Sequence, residues 1–249
     1  MRKKLILIMI VWLLSFFLFS YNYEKEFNRQ ISSKGTEKLL IKNVNGRIIV
    51  NAQKGNKISI FATIKTNSKE KLELTKIKVI KFSNYIEVKP DFPHRRNSNI
   101  SVDFLIKVPE CLFLNVKSVN GRVLVDANLK GVYLTTVNGK ILVSSKSIKG
   151  KLTTVNGGIK VHAEKIAGEL SLKTVNGSIA LYVSYPDNIR LKASTVNGSV
   201  KIEHEKLRIT YKKRLFPFYS FSTIKAAGEN PHYSVILSTV NGSIKVLPN

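Results

Sequence analysis

The chain has 249 residues, and 41 lysines and arginines against 16 aspartates and glutamates give it a formal net charge of +25. Hydrophobic residues make up 43% of the sequence, which is enough for a folded core and argues against disorder over most of the chain. The charge excludes an acidic, solvating chain and predicts a surface that attracts polyanions. Cys111 is the single cysteine, which excludes an intrachain disulfide, and with four histidines it gives no Cys/His zinc site.

The N-terminus has the features of an export signal. Basic residues at positions 2 to 4 precede an apolar run from Leu5 to Phe19, and polar residues follow. As a helix this run would span about 22 Å, short of a hydrocarbon core of roughly 30 Å, which favours cleavage over permanent anchoring. We therefore expect residues 1–20 to be a signal peptide or a short membrane anchor, and residues 21–35 to be a polar linker. The protein is then exported to the cell envelope, the periplasm or the cell surface.

An internal repeat is the main feature of the sequence. The tripeptide Val-Asn-Gly occurs seven times, and five consecutive copies are 18 to 21 residues apart. These five define a repeat array from about Leu112 to Ile202, while the copies at Asn45 and Asn241 fall outside it. The predicted structural corners, including those of the last copy, are Asn120, Gly121, Asn138, Gly139, Asn156, Gly157, Asn176, Gly177, Asn197, Gly198, Asn241 and Gly242.

Apolar residues alternate strictly on both sides of these corners, so each repeat should contain two short strands with one buried face each. Asn-Gly between such strands could form a type I′ hairpin in an antiparallel meander. It could also form the corner of a β-solenoid, whose stacked coils place like residues on like. The identity of the corner in every copy favours the solenoid, with an Asn ladder along the stack. We expect Gly139, Gly157 and Gly177 to adopt positive φ there.

The predicted fold class is therefore all-β. Residues 111–249 should form a β-solenoid of two-strand coils of about 18–21 residues, with an insertion at residues 204–233. Residues 36–110 also alternate but do not repeat, and we expect them to be a non-repetitive β region that caps the first coils. An antiparallel β-meander or sandwich is the alternative architecture.

The repeat also carries a family resemblance. The sequence Val108-Pro109-Glu110, followed by an alternating strand and by repeated Thr-Val-Asn-Gly-x-Ile-x-Val, is similar to the putative-adhesin family of bacterial envelope proteins, domain of unknown function 4097. The resemblance covers roughly Thr36 to Val246. It implies a β-strand-repeat domain displayed in or beyond the bacterial envelope, and it brings no catalytic residues. In the family the residue after the motif glycine is often acidic, whereas here it is basic or small.

Motifs of the common catalytic classes are missing from the sequence. It contains no Gly-x-Ser-x-Gly, no phosphate-binding glycine loop and no His-Glu-x-x-His. His162 and His204 follow the apolar pairs of two repeats, and we expect exposed strand-end histidines rather than metal ligands. We predict a protein that is not an enzyme and has no cofactor and no metal. An enzyme acting on envelope carbohydrate is the weaker alternative, because the carboxylates that it needs are not clustered.

Basic residues occupy many outward strand positions. The candidate polyanion contacts are Arg122, Lys140, Lys160, Lys201 and Lys245 on one strand of the coils, and Lys151, Lys173 and Lys192 on the other. Stacking would align them into cationic stripes. A merely solvated face is one interpretation, but a solvated surface normally mixes both signs and acids are scarce here. The stripes therefore favour docking to an anionic envelope polymer or glycan, and the export signal argues against nucleic acid.

The gap between Asn197 and Asn241 interleaves basic and aromatic residues. The candidate contact loop is Tyr211, Lys212, Lys213, Arg214, Phe216, Phe218 and Tyr219. A degenerate coil that closes the end of the solenoid is one interpretation. A protruding loop that meets a membrane surface or a glycan is the other.

These features predict an exported envelope or surface protein with an adhesin-like or structural role. Its partner would be an anionic polymer that contacts the cationic faces of the repeat. The alternative is a membrane-anchored accessory or sensory subunit that binds another envelope protein, which requires that the apolar run is not cleaved.

Overall fold

The computed structural model describes residues 23–92, 99–110, 112–214 and 222–249. Within these ranges the chain forms 19 β-strands and one short helix, α1 (Lys69–Leu74). The first nine strands are β1 (Tyr23–Ser32), β2 (Lys38–Lys42), β3 (Ile48–Ala52), β4 (Lys57–Thr66), β5 (Lys76–Lys81), β6 (Tyr85–Asp91), β7 (Ile100–Val108), β8 (Phe113–Lys117) and β9 (Val123–Asp126). The others are β10 (Gly131–Thr135), β11 (Ile141–Thr153), β12 (Ile159–Lys173), β13 (Ile179–Tyr185), β14 (Ile189–Asn197), β15 (Val200–Ile202), β16 (Arg208–Arg214), β17 (Ser222–Ala227), β18 (Tyr233–Asn241) and β19 (Ile244–Leu247).

Stacked coils form the body of the molecule, which confirms the predicted all-β solenoid. Each coil has one strand before a Val-Asn-Gly corner and one after it, and equivalent strands of neighbouring coils pair in parallel. For example, β8 pairs with β10 and β9 pairs with β11. A meander would pair the two strands that flank each corner with each other. The two strands of a coil instead belong to two different faces.

The strands before the corners form face A, in the order β5-β6-β2-β8-β10-β11-β12-β18-β14-β17-β16. The strands after the corners form face B, in the order β1-β4-β7-β3-β9-β11-β12-β13-β19-β15. The long strands β11 and β12 contribute to both faces. They pass through the second corner of a coil, where their pairing shifts register between Ile148 and Gly150.

The motif copies at Asn45 and Asn241 both belong to the stack, which corrects the predicted limits of the array. In the first coil, β2 and β3 pair in parallel with β8 and β9. In the last coil of the chain, β18 and β19 lie between the Asn176 coil and the Asn197 coil. The stack therefore runs Asn45, Asn120, Asn138, Asn156, Asn176, Asn241, Asn197. In the structure β14 pairs with β17 along one edge and with β18 along the other.

Antiparallel strands extend the solenoid at its ends. At the N-terminal end, β7, β4 and β1 continue face B, and the β5–β6 hairpin continues face A. The predicted polar linker, residues 21–35, is wrong over most of its length, because Tyr23 to Ser32 pair with β4 as β1. This strand lies at an edge and keeps most of its side chains exposed, so its sequence is polar.

Like residues stack on like in the core. Ile141, Ile159, Ile179 and Ile244 follow one another across neighbouring strands of face B, and each is at most 1% exposed. They belong to one hydrophobic cluster that continues from the first coil to the last. Burying an aliphatic side chain of this size contributes about 1.5–3 kcal/mol, so the in-register pairing of such rows fixes the stacking of the coils.

Close approach of the backbone is the reason for glycine at Gly139, Gly157 and Gly177, whereas the motif glycine Gly46 does have a positive φ of 113°. The glycines with positive φ in the described ranges are Gly35, Gly46, Gly55, Gly150 and Gly242, so the positive φ predicted for Gly139, Gly157 and Gly177 is wrong. A Cβ atom on Gly157 would lie 2.0 Å from the carbonyl oxygen of Gly139, and one on Gly177 would lie 2.0 Å from that of Gly157. Any side chain at these positions would push neighbouring coils apart.

Glu87 on β6 is held by two lysines of face A. Its Oε1 lies 2.7 Å from Nζ of Lys42 and 3.2 Å from Nζ of Lys89, and the residue is only 6% exposed. The ion pair with Lys42, aided by Lys89, lowers the pKa of the Glu87 carboxyl although burial opposes the shift. The ionised carboxylate therefore stabilises the pairing of the first coil with β6.

We expect Gly157→Ala to lower the free energy of unfolding by about 1–3 kcal/mol, because the added methyl group overlaps the Gly139 carbonyl. Gly158→Ala is the matched control in the same corner. Its Cβ would lie 3.2 Å from the carbonyl oxygen of Ser178, and other coils carry Arg, Lys or Ser at this position. The control should be neutral or stabilising by up to about 1 kcal/mol. Denaturant titrations followed by circular dichroism measure both, and equal losses would contradict the close-approach argument.

We expect Glu87 to make stability depend on pH in the acid range. Because its pKa is lower in the folded state, its contribution is present above the unfolded pKa of about 4.3 and is lost as pH falls through the folded value. Between about pH 5 and pH 3 the melting temperature of Glu87→Gln should therefore fall less steeply than that of the wild type. Lys42→Gln should remove part of the same dependence. Parallel pH profiles for the wild type and Glu87→Gln would disprove this assignment.

Candidate functional site

The Val-Asn-Gly corners stack into a straight ridge, which we call the corner ridge. Each motif Asn after the first donates a hydrogen bond from Nδ2 to Oδ1 of the Asn in the coil before it in the stack, at 2.7 or 2.8 Å. The donors in stack order are Asn120, Asn138, Asn156, Asn176, Asn241 and Asn197. In the first coil Asn45 donates to the backbone carbonyl of Ile100 at 3.1 Å. The ladder thus runs along the whole stack.

A second hydrogen-bonded row lies beneath the corner ridge. The residue two positions before each motif Asn is buried, and in five of the seven coils it is a threonine. Thr154 donates its hydroxyl to the carbonyl of Gly139 at 3.0 Å, and Thr174 donates to that of Gly157 at 2.8 Å. Because the same glycine carbonyls face the glycines of the next coil, the corners are held from the inside as well as by the Asn ladder.

The motif valines point outward on the corner ridge. The six exposed ones are Val119, Val137, Val155, Val175, Val240 and Val196, each 37–39% exposed. Neighbouring coils are about 4.8 Å apart, so the ridge repeats a methyl-bearing side chain and an amide at that interval. The ridge is therefore a regular edge between the two faces.

The structure brings Arg122 and Lys140 together and adds Arg47 to them. Each of these residues follows the motif glycine in one of the first three coils, immediately before the paired residues of β3, β9 and β11. All three side chains are exposed. We call them the basic row. Sequence analysis missed Arg47 because the copy at Asn45 was placed outside the array, although the shared position after Asn-Gly would have identified it.

No carboxylate in the described ranges lies within 4.0 Å of the cations of the basic row. The nearest strand partner with a charge, Asp103 on β7, accepts the backbone N–H of Arg47 at 2.7 Å and lies 3.5 Å from Nζ of Lys65. The guanidinium and ammonium groups of the basic row thus face solvent and can bind anions.

The other predicted contacts do not join the basic row. Lys245 and Lys201 are paired on β19 and β15, but Ala180 separates Lys160 from them, and Lys201 lies 2.5 Å from a carboxylate oxygen of Glu203. On face A no two of Lys151, Lys173 and Lys192 are cross-strand partners. Their partners are Tyr133 and Ser171 for Lys151, Thr153 and Ser238 for Lys173, and Lys225 and Ile236 for Lys192. The cations therefore form several clusters and not the continuous stripes that the sequence suggested.

The predicted contact loop is partly a strand. Tyr211, Lys212, Lys213 and Arg214 lie in β16, which pairs antiparallel with β17 at the edge of face A. Nζ of Lys225 on β17 lies 5.3 Å from the centre of the Tyr211 ring, a cation–π distance. The other members of the predicted loop, Phe216, Phe218 and Tyr219, lie outside the described residues, as does Cys111. The described part of the insertion thus extends face A.

The two candidate histidines are placed differently from each other. His204 is 7% exposed and its Nε2 lies 2.9 Å from the carbonyl oxygen of Val183, so the expectation of an exposed residue is wrong for it. His162 stacks on Tyr182, and its Nδ1 lies 2.8 Å from Oδ1 of Asn249. No group of three or more His, Cys, Asp or Glu side chains in the described ranges could hold a metal ion. The same ranges contain no helix that is long and apolar enough to span a membrane.

The chain belongs to the Toastrack DUF4097 family, whose model matches residues 15–247, which confirms the resemblance seen in the sequence. No curated protein matches it. A putative cell adhesion protein from Clostridium sporogenes ATCC 15579 has a similar solved structure, with 14% identity, 91% of this chain and 100% of that chain covered, and a TM-score of 0.47. The solved structure of a putative adhesin from Bacteroides fragilis NCTC 9343 is 15% identical, with 89% of this chain and 97% of that chain covered and a TM-score of 0.42. The solved structure of a putative lipid binding protein from Parabacteroides distasonis ATCC 8503 is 9% identical, with 89% of this chain and 96% of that chain covered and a TM-score of 0.31.

Proposed function

We propose that the protein is an exported, non-catalytic module of the bacterial envelope that docks on an anionic envelope polymer. The observation that carries this proposal is the basic row. Arg47, Arg122 and Lys140 occupy the same position in three consecutive coils and are exposed, and their charged groups form no ion pair within 4.0 Å in the described part of the chain.

The spacing of the basic row suits a ligand with repeated charges. Coils are about 4.8 Å apart, so the three cations meet anionic groups that recur along a chain. Arg47 and Arg122 can each bind a phosphate or a carboxylate through two parallel hydrogen bonds, and Lys140 adds a point charge. Teichoic acids, lipopolysaccharide phosphates and acidic polysaccharides have this chemistry.

Rigidity of the corner supports the same function. The Asn ladder joins the corners of Asn45, Asn120 and Asn138, each two residues before a cation of the row. Thr154 also donates to the carbonyl of Gly139, directly before Lys140. The backbone of the row is therefore ordered before a ligand arrives, and binding orders little more than the side chains. The remaining lysines and the net charge of +25 add a long-range attraction that salt screens.

The N-terminal sequence supports the location. Basic residues followed by the apolar run from Leu5 to Phe19 are typical of an export signal, so the folded repeat would meet polymers of the envelope and not cytoplasmic nucleic acid. The basic residues then have anionic partners in the compartment that the protein enters.

We expect the triple variant Arg47→Gln, Arg122→Gln, Lys140→Gln to elute from immobilised polyphosphate and polygalacturonate at clearly lower salt than the wild type. The full chain in a non-ionic detergent is used, and its melting temperature checks folding. The matched control, Lys54→Gln, Lys76→Gln, Lys130→Gln, removes the same charge from exposed and scattered positions.

The control should shift elution less than the basic-row variant. Wild-type retention should fall as salt rises from 0.1 to 1 M, where the Debye length drops from about 10 to 3 Å. If the two triple variants shift the elution salt concentration equally, the basic row is not a specific docking site and contributes only through the net charge. Retention that is independent of salt would contradict electrostatic docking.

A further inference from the structure

Face B carries five apolar side chains that point away from the core. Phe61 on β4, Leu105 on β7, Ile49 on β3, Leu124 on β9 and Leu142 on β11 are direct cross-strand partners in this order. All five are half-buried, yet none belongs to the core cluster or packs against it. We call them the apolar row. Strands are about 4.8 Å apart, so the row is about 19 Å long.

A row of five apolar side chains is unusual on the outward side of a sheet. Outward positions of a sheet with one buried face are normally polar. The corresponding cross-strand row on face A mixes types: it runs Glu87, Leu40, Asn115, Tyr133, Lys151. A contiguous apolar surface is thus a property of this half of face B, and surfaces of this kind mark interaction sites.

Cations border the apolar row on two sides. Arg47, Arg122 and Lys140 lie two residues before Ile49, Leu124 and Leu142, directly before the starts of β3, β9 and β11, so the basic row runs alongside the apolar row on the same face. Beyond Leu142 the same cross-strand line continues with Lys160 on β12. The acidic neighbours are Asp103, engaged by Lys65, Glu26 on β1 in the same cross-strand line, and Asp126 on the opposite border. The part of the border beside β3, β9 and β11 that carries the basic row therefore complements an anionic surface.

The start of the described chain lies on the same face. The apolar run from Leu5 to Phe19 comes shortly before β1, which is the edge strand of face B. Asn28 of β1 is the direct partner of Phe61, the first member of the apolar row. A membrane that holds the apolar run would therefore be tethered at the end of face B where the apolar row begins.

We propose that the apolar row and its cationic border are a docking surface for an anionic lipid bilayer. The leucine, isoleucine and phenylalanine side chains enter the boundary between headgroups and acyl chains, and the basic row binds lipid phosphates. Stable attachment to a membrane commonly takes two signals. The apolar side chains and the basic row of this surface are two such signals, and a retained apolar run at the N-terminus would add a third. The surface goes beyond polymer docking because it uses five residues that polymer docking does not use.

A depth-sensitive label on the full chain tests the proposal without interference from the apolar run. A fluorophore is attached at Leu124→Cys in a Cys111→Ser background, and the protein is reconstituted into vesicles of phosphatidylglycerol and phosphatidylcholine that contain spin-labelled lipid. The matched control carries the fluorophore at Tyr133→Cys on face A, where the side chain is 49% exposed. We expect quenching at position 124 several-fold above that at position 133, and lower quenching at 124 when phosphatidylglycerol is left out. Equal quenching at the two positions in anionic vesicles overturns the proposal.

A variant of the surface separates this proposal from polymer docking. Ile49→Ser with Leu142→Ser, measured with the label at position 124, should reduce quenching by about tenfold or more, since each residue loses its apolar contact with lipid. The same variant should keep the wild-type elution salt on polyphosphate. Unchanged quenching overturns lipid docking and leaves the polymer result standing. If polymer retention fails while quenching at position 124 persists, polymer docking alone is wrong. If the double variant does not fold, the comparison of positions 124 and 133 decides.

Discussion

The structure depends on the contact between the backbones of stacked corners. A glycine of one coil lies against the glycine carbonyl of the next so closely that a Cβ atom on Gly139, Gly157 or Gly177 would lie 1.9–2.0 Å from that oxygen. This approach brings the Asn side chains within 2.7–2.8 Å of each other and the threonine hydroxyls within reach of the glycine carbonyls. Without it, neither row of hydrogen bonds could run along the stack.

Because the corners stack in a straight line, equivalent residues of successive coils form rows on the surface. Any residue at a fixed distance from the motif lies next to its equivalents in the neighbouring coils, about 4.8 Å away. The basic row arises in this way, two positions after the motif Asn, and so do Ile49, Leu124 and Leu142 of the apolar row, four positions after it. Phe61 and Leu105 extend the apolar row on the antiparallel strands β4 and β7. The two rows are parallel because the basic row lies directly before the starts of β3, β9 and β11, so one face combines charge and apolar surface without a pocket.

Additional strands lie at both ends of the stack, where the edges of its sheets would otherwise be open. The final coil of the chain fits between two earlier coils, and β17 and β16 cover the outer edge of β14. At the other end β7, β4 and β1 continue face B and α1 follows β4. The last strand of face B, β15, has only three residues. The edge strand at the other end of face B, β1, is ten residues long but polar, and short or polar edges limit pairing with other chains.

The sequence by itself determined the class of fold, because alternation with period two and a recurring corner depend only on local spacing. It also identified the corners and two members of the basic row, Arg122 and Lys140. Tertiary structure alone decided which coils are neighbours: spacings of 75 and 44 residues hide the contacts of Asn45 and Asn241. It likewise decided that β1 is a strand, that the glycines serve close approach, and that Phe61 and Leu105 continue a row begun by Ile49. Each of these depends on which backbone lies beside which, and that is set by strands distant in sequence.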